Sequence, residues 1–430
     1  MGLDDADAQA PLGNRPPQVA RQKLVVAHFM VGNTYPYQVA DWTKASSKGI
    51  DAFALNVGRD SWQPARVADA FTAAVNSKTN FKLFLSFDMS SLPCAAAADA
   101  ITLRNYLTTY RAHPHQMMYP PGSSRLLAST FAGEACRFGQ GTLQAAWHYA
   151  LRGDLRLPGV HFVPSFFMDP AAFGGLQTID GSFQWNSAWP MGNSTTNFDA
   201  DNIYLKNLGG RTYMAGVSPW FFTHYGPDTY NKNFIYRCDD WHFAARWEVL
   251  VKHRAEVDLA QVITWNDFGE SHYVGPIAGA QPMSEAWTKG FDHQGWLDLM
   301  QYYIKAYKTG AYPAITRERV FLWGRLYPAN ANAPDHVGKP QNWAYTQDYL
   351  WGVVLLPSPA MVTLSCGSST VTSALPAGLS KMRLRLTTDC NVHVKIWKKK
   401  AVVLDFAPKG FRFTKHPRIY NFNAFVAASP

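Results

Sequence analysis

Eight apolar, β-branched or aromatic runs recur between residues 23 and 265, and each stops on polar residues or a turn. They span 23–31, 52–57, 82–87, 125–131, 160–167, 182–189, 212–220 and 261–265. Most are continuous rather than alternating, as a strand buried on both faces requires. Segments of helical period lie between most of them, for example 39–47, 66–75 and 243–251. Such strands interleaved with helices build a parallel sheet, and eight of them over about 250 residues suit a (β/α)8 barrel. A doubly wound open sheet has a similar texture. No glycine-rich phosphate fingerprint follows the first strand, however, and Gly139-Gln140-Gly141 lacks both the third glycine and the context.

Past a helix at 299–308 the texture changes. From about Glu318, short alternating runs at 320–323, 350–355, 362–366, 382–386, 392–397 and 402–406 are separated by Pro, Gly, Ser and Asn. That is an all-β sandwich pattern. The expected fold class is therefore α/β, a (β/α)8 TIM-like barrel over 23–315 followed by a C-terminal all-β sandwich domain over 316–430. Residues 1–22 are polar, rich in Pro and Ala, and read as a flexible N-terminal tail with no apolar signal core.

Composition narrows the function classes. The 430 residues are 47% hydrophobic and only 17% charged, enough to bury a large core. Fifteen Trp, 20 Tyr and 26 Phe supply flat faces that stack on sugars, on bases or on one another. The net charge is +9, but Lys398-Lys399-Lys400 is the one tight basic run, so the scatter argues against a nucleic-acid partner. No run is long and apolar enough for a membrane span. The five cysteines have no zinc spacing. Two disulfides, Cys94 with Cys136 and Cys366 with Cys390, plus a leftover Cys238 would suit an oxidising compartment, and five reduced buried thiols are the alternative. Asn193-Ser194-Thr195 is a glycosylation sequon.

In a barrel the reaction centre lies where the strands end. Carboxylates fall there: Asp60, Asp88, Glu134, Asp267 and Glu270, accompanied by His28, Asn56, Trp185, Trp220 and Trp265. The densest stretch is 261–272, QVITWNDFGESH, in which Asp267 and Glu270 flank a Phe-Gly turn just past a buried strand. Each acid taken alone also fits a helix cap or an ion-pair partner. Acids converging with aromatics on one rim have the composition of a glycoside hydrolase cleft.

Six segments, in order, then resemble one family: 28–34 (HFMVGNT), 52–56 (AFALN), 84–88 (FLSFD), 129–134 (STFAGE), 217–221 (VSPWF) and 264–272 (TWNDFGESH). They are similar to the fungal α-1,3-glucanases, or mutanases, of glycoside hydrolase family 71, over roughly residue 23 to the C-terminus. The resemblance implies a secreted or wall-acting inverting hydrolase of α-1,3-glucan, without cofactor or metal. The implied partner is the polysaccharide, with no nucleic acid or membrane, and the chain is expected to act as a monomer. It implies that Asp88, Asp267 and Glu270 are the essential acids. One departure is Cys238-Asp239-Asp240, where many members carry a glycine before the paired acids.

The expected roles are Glu270 as general acid and Asp267 as the base that activates water, with the order open to reversal. An inverting pair needs about 6.5–9.5 Å between its carboxyls. Asp88 would hold a sugar hydroxyl or tune its neighbours, and Asp60 and Glu134 would contact substrate. Trp185, Trp220 and Trp265 would form stacking walls, and His28, Asn56 and His272 would bind hydroxyls. The competing readings are a retaining glycosidase using Glu134, a non-catalytic wall-binding protein and a nucleic-acid binder.

Overall fold

A computed structural model describes residues 22–32, 39–153 and 159–430. Almost all of the expected N-terminal tail, and Asn33 and Thr34 of the first motif, lie outside the described residues. The parallel strands are β1 (Leu24–Met30), β2 (Ala52–Val57), β3 (Lys82–Asp88), β4 (Leu126–Phe131), β5 (Val160–Phe162), β6 (Gly181–Gln184) and β7 (Thr212–Val217). A short antiparallel hairpin follows, β8 (Phe222–His224) and β9 (Asn233–Ile235), before the last parallel strand β10 (Leu259–Val262).

The ladder order β5-β4-β3-β2-β1-β10-β7-β6 is that of a barrel opened between β5 and β6. Across that seam Asp180 N donates to Phe162 O at 2.8 Å and Phe183 N to Pro164 O at 2.8 Å, so the ring is nearly closed. Helices α1 (Val39–Ser47), α2 (Gln63–Asn76), α3 (Ala100–Tyr110), α4 (Leu143–Arg152), α5 (Asp199–Leu208) and α6 (His242–Lys252) return the chain. After β10 come the short α7 (Glu285–Thr288) and α8 (Gln294–Thr309). Of the parallel strands, among the described residues, only β5 lacks an α-helix before the next parallel strand, having the 3-10 turn Pro170–Gly175 instead.

The runs expected at 160–167 and 182–189 are thus shorter as strands. Pro164 cannot donate to a ladder, and Trp185–Ala188 coils into a 3-10 turn. The last strand begins at Leu259 and ends at Val262, three residues before the expected Trp265.

β11 (Arg319–Gly324), β12 (Tyr349–Leu356), β13 (Ala360–Cys366), β14 (Ser369–Leu375), β15 (Gly378–Arg385), β16 (Cys390–Lys398), β17 (Ala401–Phe406), β18 (Arg412–Phe413) and β19 (Phe425–Ala428) make two antiparallel sheets. Their orders are β15-β12-β11-β19 and β14-β13-β16-β17, with β18 on β16. Alternate residues of β13 and β16 point into an apolar cluster with Val320, Leu322, Leu350, Val354 and Leu384 of the first sheet. The other face of that sheet joins the barrel core, through Phe321, Trp323, Trp351 and Val353. Trp241 Nε1 donates to Gly352 O at 2.9 Å, and Lys381 pairs with Glu248 at 2.6 Å. The apolar core therefore runs unbroken across residue 316. Cys94–Cys136 and Cys366–Cys390 are disulfides, and Cys238 is free and buried. No helix among the described residues is long and apolar enough to cross a membrane.

Candidate active site

The C-terminal ends of β1, β2, β3, β4, β6 and β10 open into a cavity of about 470 Å³. Seven of the residues singled out in the sequence line it: His28, Asn56, Asp60, Asp88, Trp185, Asp267 and Glu270. Its centre is the turn after β10. Asn266 fastens that turn to β1, its Oδ1 accepting from Met30 N at 2.8 Å and its Nδ2 donating to Met30 O at 3.0 Å. Thr264 N donates to His272 O at 2.9 Å, and Thr264 Oγ1 accepts from Asp267 N at 2.8 Å. Ser271, at φ 61°, reverses the chain and brings His272 back over Glu270. Gly269 cannot be replaced without movement, because a Cβ there would lie 2.1 Å from Tyr225 Oη.

This geometry separates the charge states of two neighbouring carboxyls. Burial, and then repulsion from Glu270, push Asp267 up to about 6. Burial acts the same way on Glu270, but it is outweighed there. His272 Nε2 lies 3.0 Å from Glu270 Oε2 and Lys232 Nζ 3.5 Å from Oε1, so Glu270 titrates below its ordinary value. At pH between the two, Asp267 carries a proton and Glu270 a negative charge. His272 is fully buried, and its Nδ1 is within 3.1 Å of Thr264 Oγ1.

One donor atom from each of Asp267, Glu270 and His272 falls within 4.8 Å of the others, a spacing that could hold a metal ion. A cation there would have to displace the His272–Glu270 hydrogen bond.

His28 is buried beneath the cavity, and burial followed by the neighbouring His272 lowers it to about 3, so it presents a neutral ring. It meets Trp185 edge-on at 5.0 Å. Asp88 Oδ1 accepts from Ser90 N at 3.0 Å and from Ser90 Oγ, and Asp60 Oδ2 accepts from Gln63 Nε2 at 3.0 Å.

Four expected residues do not line the cavity. His272 acts from behind, through Glu270. Trp220 and Trp265, expected as stacking walls, are core residues, each 1% exposed. The Trp220 indole donates to Phe422 O at 3.0 Å, while Trp265 packs on Phe53. Glu134 is half-buried and receives Phe167 N at 3.2 Å. Liners that went unmarked in the sequence include Trp62, Ser90, Ser91, Tyr225, Tyr230 and Lys232. The last three belong to the β8–β9 hairpin and its loop, which no motif marks. Trp62, 46% exposed, lies against Gly32, where a Cβ would meet the indole at 2.7 Å. The run 59–62 after the second strand was its available signal.

The family model for glycosyl hydrolase family 71 matches residues 21–430. Glucan endo-1,3-alpha-glucosidase agn1 of Schizosaccharomyces pombe is 38% identical over 418 residues, 94% of each chain. A mutanase of Penicillium rubens is 33% identical over 95% of this chain and 89% of its own. The ascus wall endo-1,3-alpha-glucanase of Schizosaccharomyces pombe is 31% identical over 76% and 77%. With the rim acids of the barrel in view, these matches lead to one assignment: the chain is a glycoside hydrolase and belongs to glycosyl hydrolase family 71.

Proposed function

We propose that the protein hydrolyses the α-1,3-glucosidic bonds of α-1,3-glucan, the linkage named in its relatives. One observation supports the chemistry above the others: two neighbouring acids on the cavity rim whose surroundings raise one and lower the other. The charge states favour the reverse of the role order first expected. Asp267 gives its proton to the departing glycosidic oxygen as that bond breaks. Glu270 takes a proton from the water whose oxygen bonds to the anomeric carbon. Asp88 receives a sugar hydroxyl, as do Asn56 and the neutral ring of His28, and Trp185 supplies the stacking wall.

Inversion is the outcome the family resemblance implies. A second reading rests on one distance: oxygens of Asp267 and Glu270 lie within 4.8 Å, nearer the about 5–5.5 Å of retaining pairs than the about 6.5–9.5 Å of inverting ones. Proton NMR of the first sugar released decides between them. The β-anomer supports inversion, and the α-anomer supports retention. Release of reducing sugar from insoluble α-1,3-glucan, abolished in Asp267→Asn and Glu270→Gln, tests the function itself. Absence of release by the wild type would sink it.

Secretion to the cell wall fits the two disulfides and the exposed Asn193 sequon. We assign 23–315 to a catalytic barrel and 316–430 to a β-sandwich that braces it, because the first C-terminal sheet shares the barrel core.

A further inference from the structure

Gln184, Trp185 and Asn186 are consecutive, yet they serve different chambers. Trp185 lines the catalytic cavity, whereas Gln184 and Asn186 line a second one of about 450 Å³ at the ends of β5 and β6. The wall between the two is aromatic. Phe131, of the catalytic cavity, meets Trp185 at 4.9 Å between centroids and Phe167, of the second chamber, at 5.1 Å. Phe167 is 39% exposed, an apolar ring left facing solvent. Gln184 is only 9% exposed, and its side-chain amide makes no hydrogen bond among the described residues. The same is true of the Asn186 amide. Neither amide is sealed from solvent, so both are free to hydrogen-bond a ligand or water in the chamber.

The chamber's charge selects the ligand class. Among the described residues no cation lines it, and the one acid that does, Asp169, accepts from Ala171 N at 2.9 Å to cap the following 3-10 turn. A ring face beside two amides, without a counter-charge for phosphate or carboxylate, suits a neutral sugar.

Resting on the α-1,3-glucan reading, we propose that this second chamber is a distal glucose subsite. A glucan whose scissile bond lies at Asp267 and Glu270 passes over the Trp185–Phe131 wall and seats a further glucose on Phe167. The amides of Gln184 and Asn186 take its hydroxyls.

Chain length tests it. Phe167→Ala, Asn186→Ala and the conservative Phe167→Trp would be compared with wild type on α-1,3-gluco-oligosaccharides of increasing length. The alanine variants should raise KM roughly three- to tenfold, with kcat unchanged, only for chains long enough to reach the chamber. Phe167→Trp should restore it. Equal losses at every length would indicate a structural role and overturn the subsite, as would no loss at any length. Calorimetric binding of a long oligosaccharide to Asp267→Asn, with and without Phe167→Ala, separates this inference from the hydrolase reading. Weaker binding with Phe167→Ala supports the subsite even if the wild type cleaves nothing, and equal binding overturns it even if hydrolysis is normal.

Discussion

Asp201 and Asp267 are both carboxylates withdrawn from water, and they are treated in opposite ways. Asp201, on α5, is 1% exposed and receives Arg246 Nη1 and Nη2 at 2.7 Å each and Tyr213 Oη at 2.7 Å. Asp180, at the opposite end of the barrel from the cavity, is similarly served. Burial opposes its charge, but Arg125, Arg152 and Phe162 N hold it below its ordinary value. Asp267 has no cation in contact among the described residues and stands beside a second carboxyl. A buried charge with a full set of donors is architecture. One kept short of them is poised to hold and release a proton.

The contrast predicts opposite fates for the same substitution. Asp201→Asn leaves Arg246 buried with a neutral partner and should cost about 3–5 kcal/mol, seen as a lower Tm and denaturant midpoint. Asp267→Asn should cut kcat by roughly 10²–10⁴ while the fold persists. If Asp267→Asn lowered Tm as much as Asp201→Asn, the distinction would collapse. A substrate whose leaving group needs no proton, such as an α-1,3-gluco-oligosyl fluoride, should still be cleaved by Asp267→Asn and not by Glu270→Gln. The reverse pattern would restore Glu270 as the acid.

The pH dependence follows next in size. With the proposed roles, activity needs Asp267 protonated and Glu270 ionised, so it should fall as pH rises through about 6 and fall again in acid as Glu270 protonates. Stability carries the same sign. The folded value of Asp267 lies above its unfolded 3.8, so its contribution is complete below 3.8 and is lost as pH rises through about 6. Asp267→Asn should thus exceed wild type in stability at pH 7, by on the order of 1–3 kcal/mol, and match it near pH 3. Asp180 runs the other way, contributing above its unfolded value and losing that as pH falls through its lowered one. Chemical denaturation of both proteins across pH is the check.

Much of this was legible because strands buried on both faces must be apolar throughout, and the acids follow at their ends. Strand ends were less legible. Trp220 and Trp265 come just after strands, as cavity residues do, but β7 and β10 stop at Val217 and Val262, and the turns beyond aim both indoles into the core. β14, STVTSAL, escaped notice because its residues alternate between exposed and half-buried, so no apolar run marks it. The hairpin strands β8 and β9 have three residues each, too few for a period to register. Most hidden was the environment that sets the two carboxyls apart. It depends on a left-handed Ser271 turning His272 onto Glu270, which spacing does not disclose.

Two smaller effects probe how Glu270 is kept charged. His272→Asn removes the buried donor, so the acid limb of the activity profile should move to higher pH, with kcat reduced on the order of 10- to 100-fold as Glu270 loses its anchor. An unmoved limb would mean that burial alone sets Glu270. Lys232 contributes least. Its side chain is 53% exposed and stands 3.5 Å from Glu270, so water and salt screen most of the attraction. Lys232→Met should change kcat/KM by less than about fivefold, a difference that fades in roughly 0.5 M salt. A loss as large as that of Asp267→Asn, persisting in salt, would make the β8–β9 hairpin part of the reacting machinery rather than its rim. The C-terminal region would then share in catalysis, because it holds that hairpin in place. Asp335 accepts His224 Nε2 at 2.8 Å, and Gln341 O receives Ile235 N at 3.1 Å.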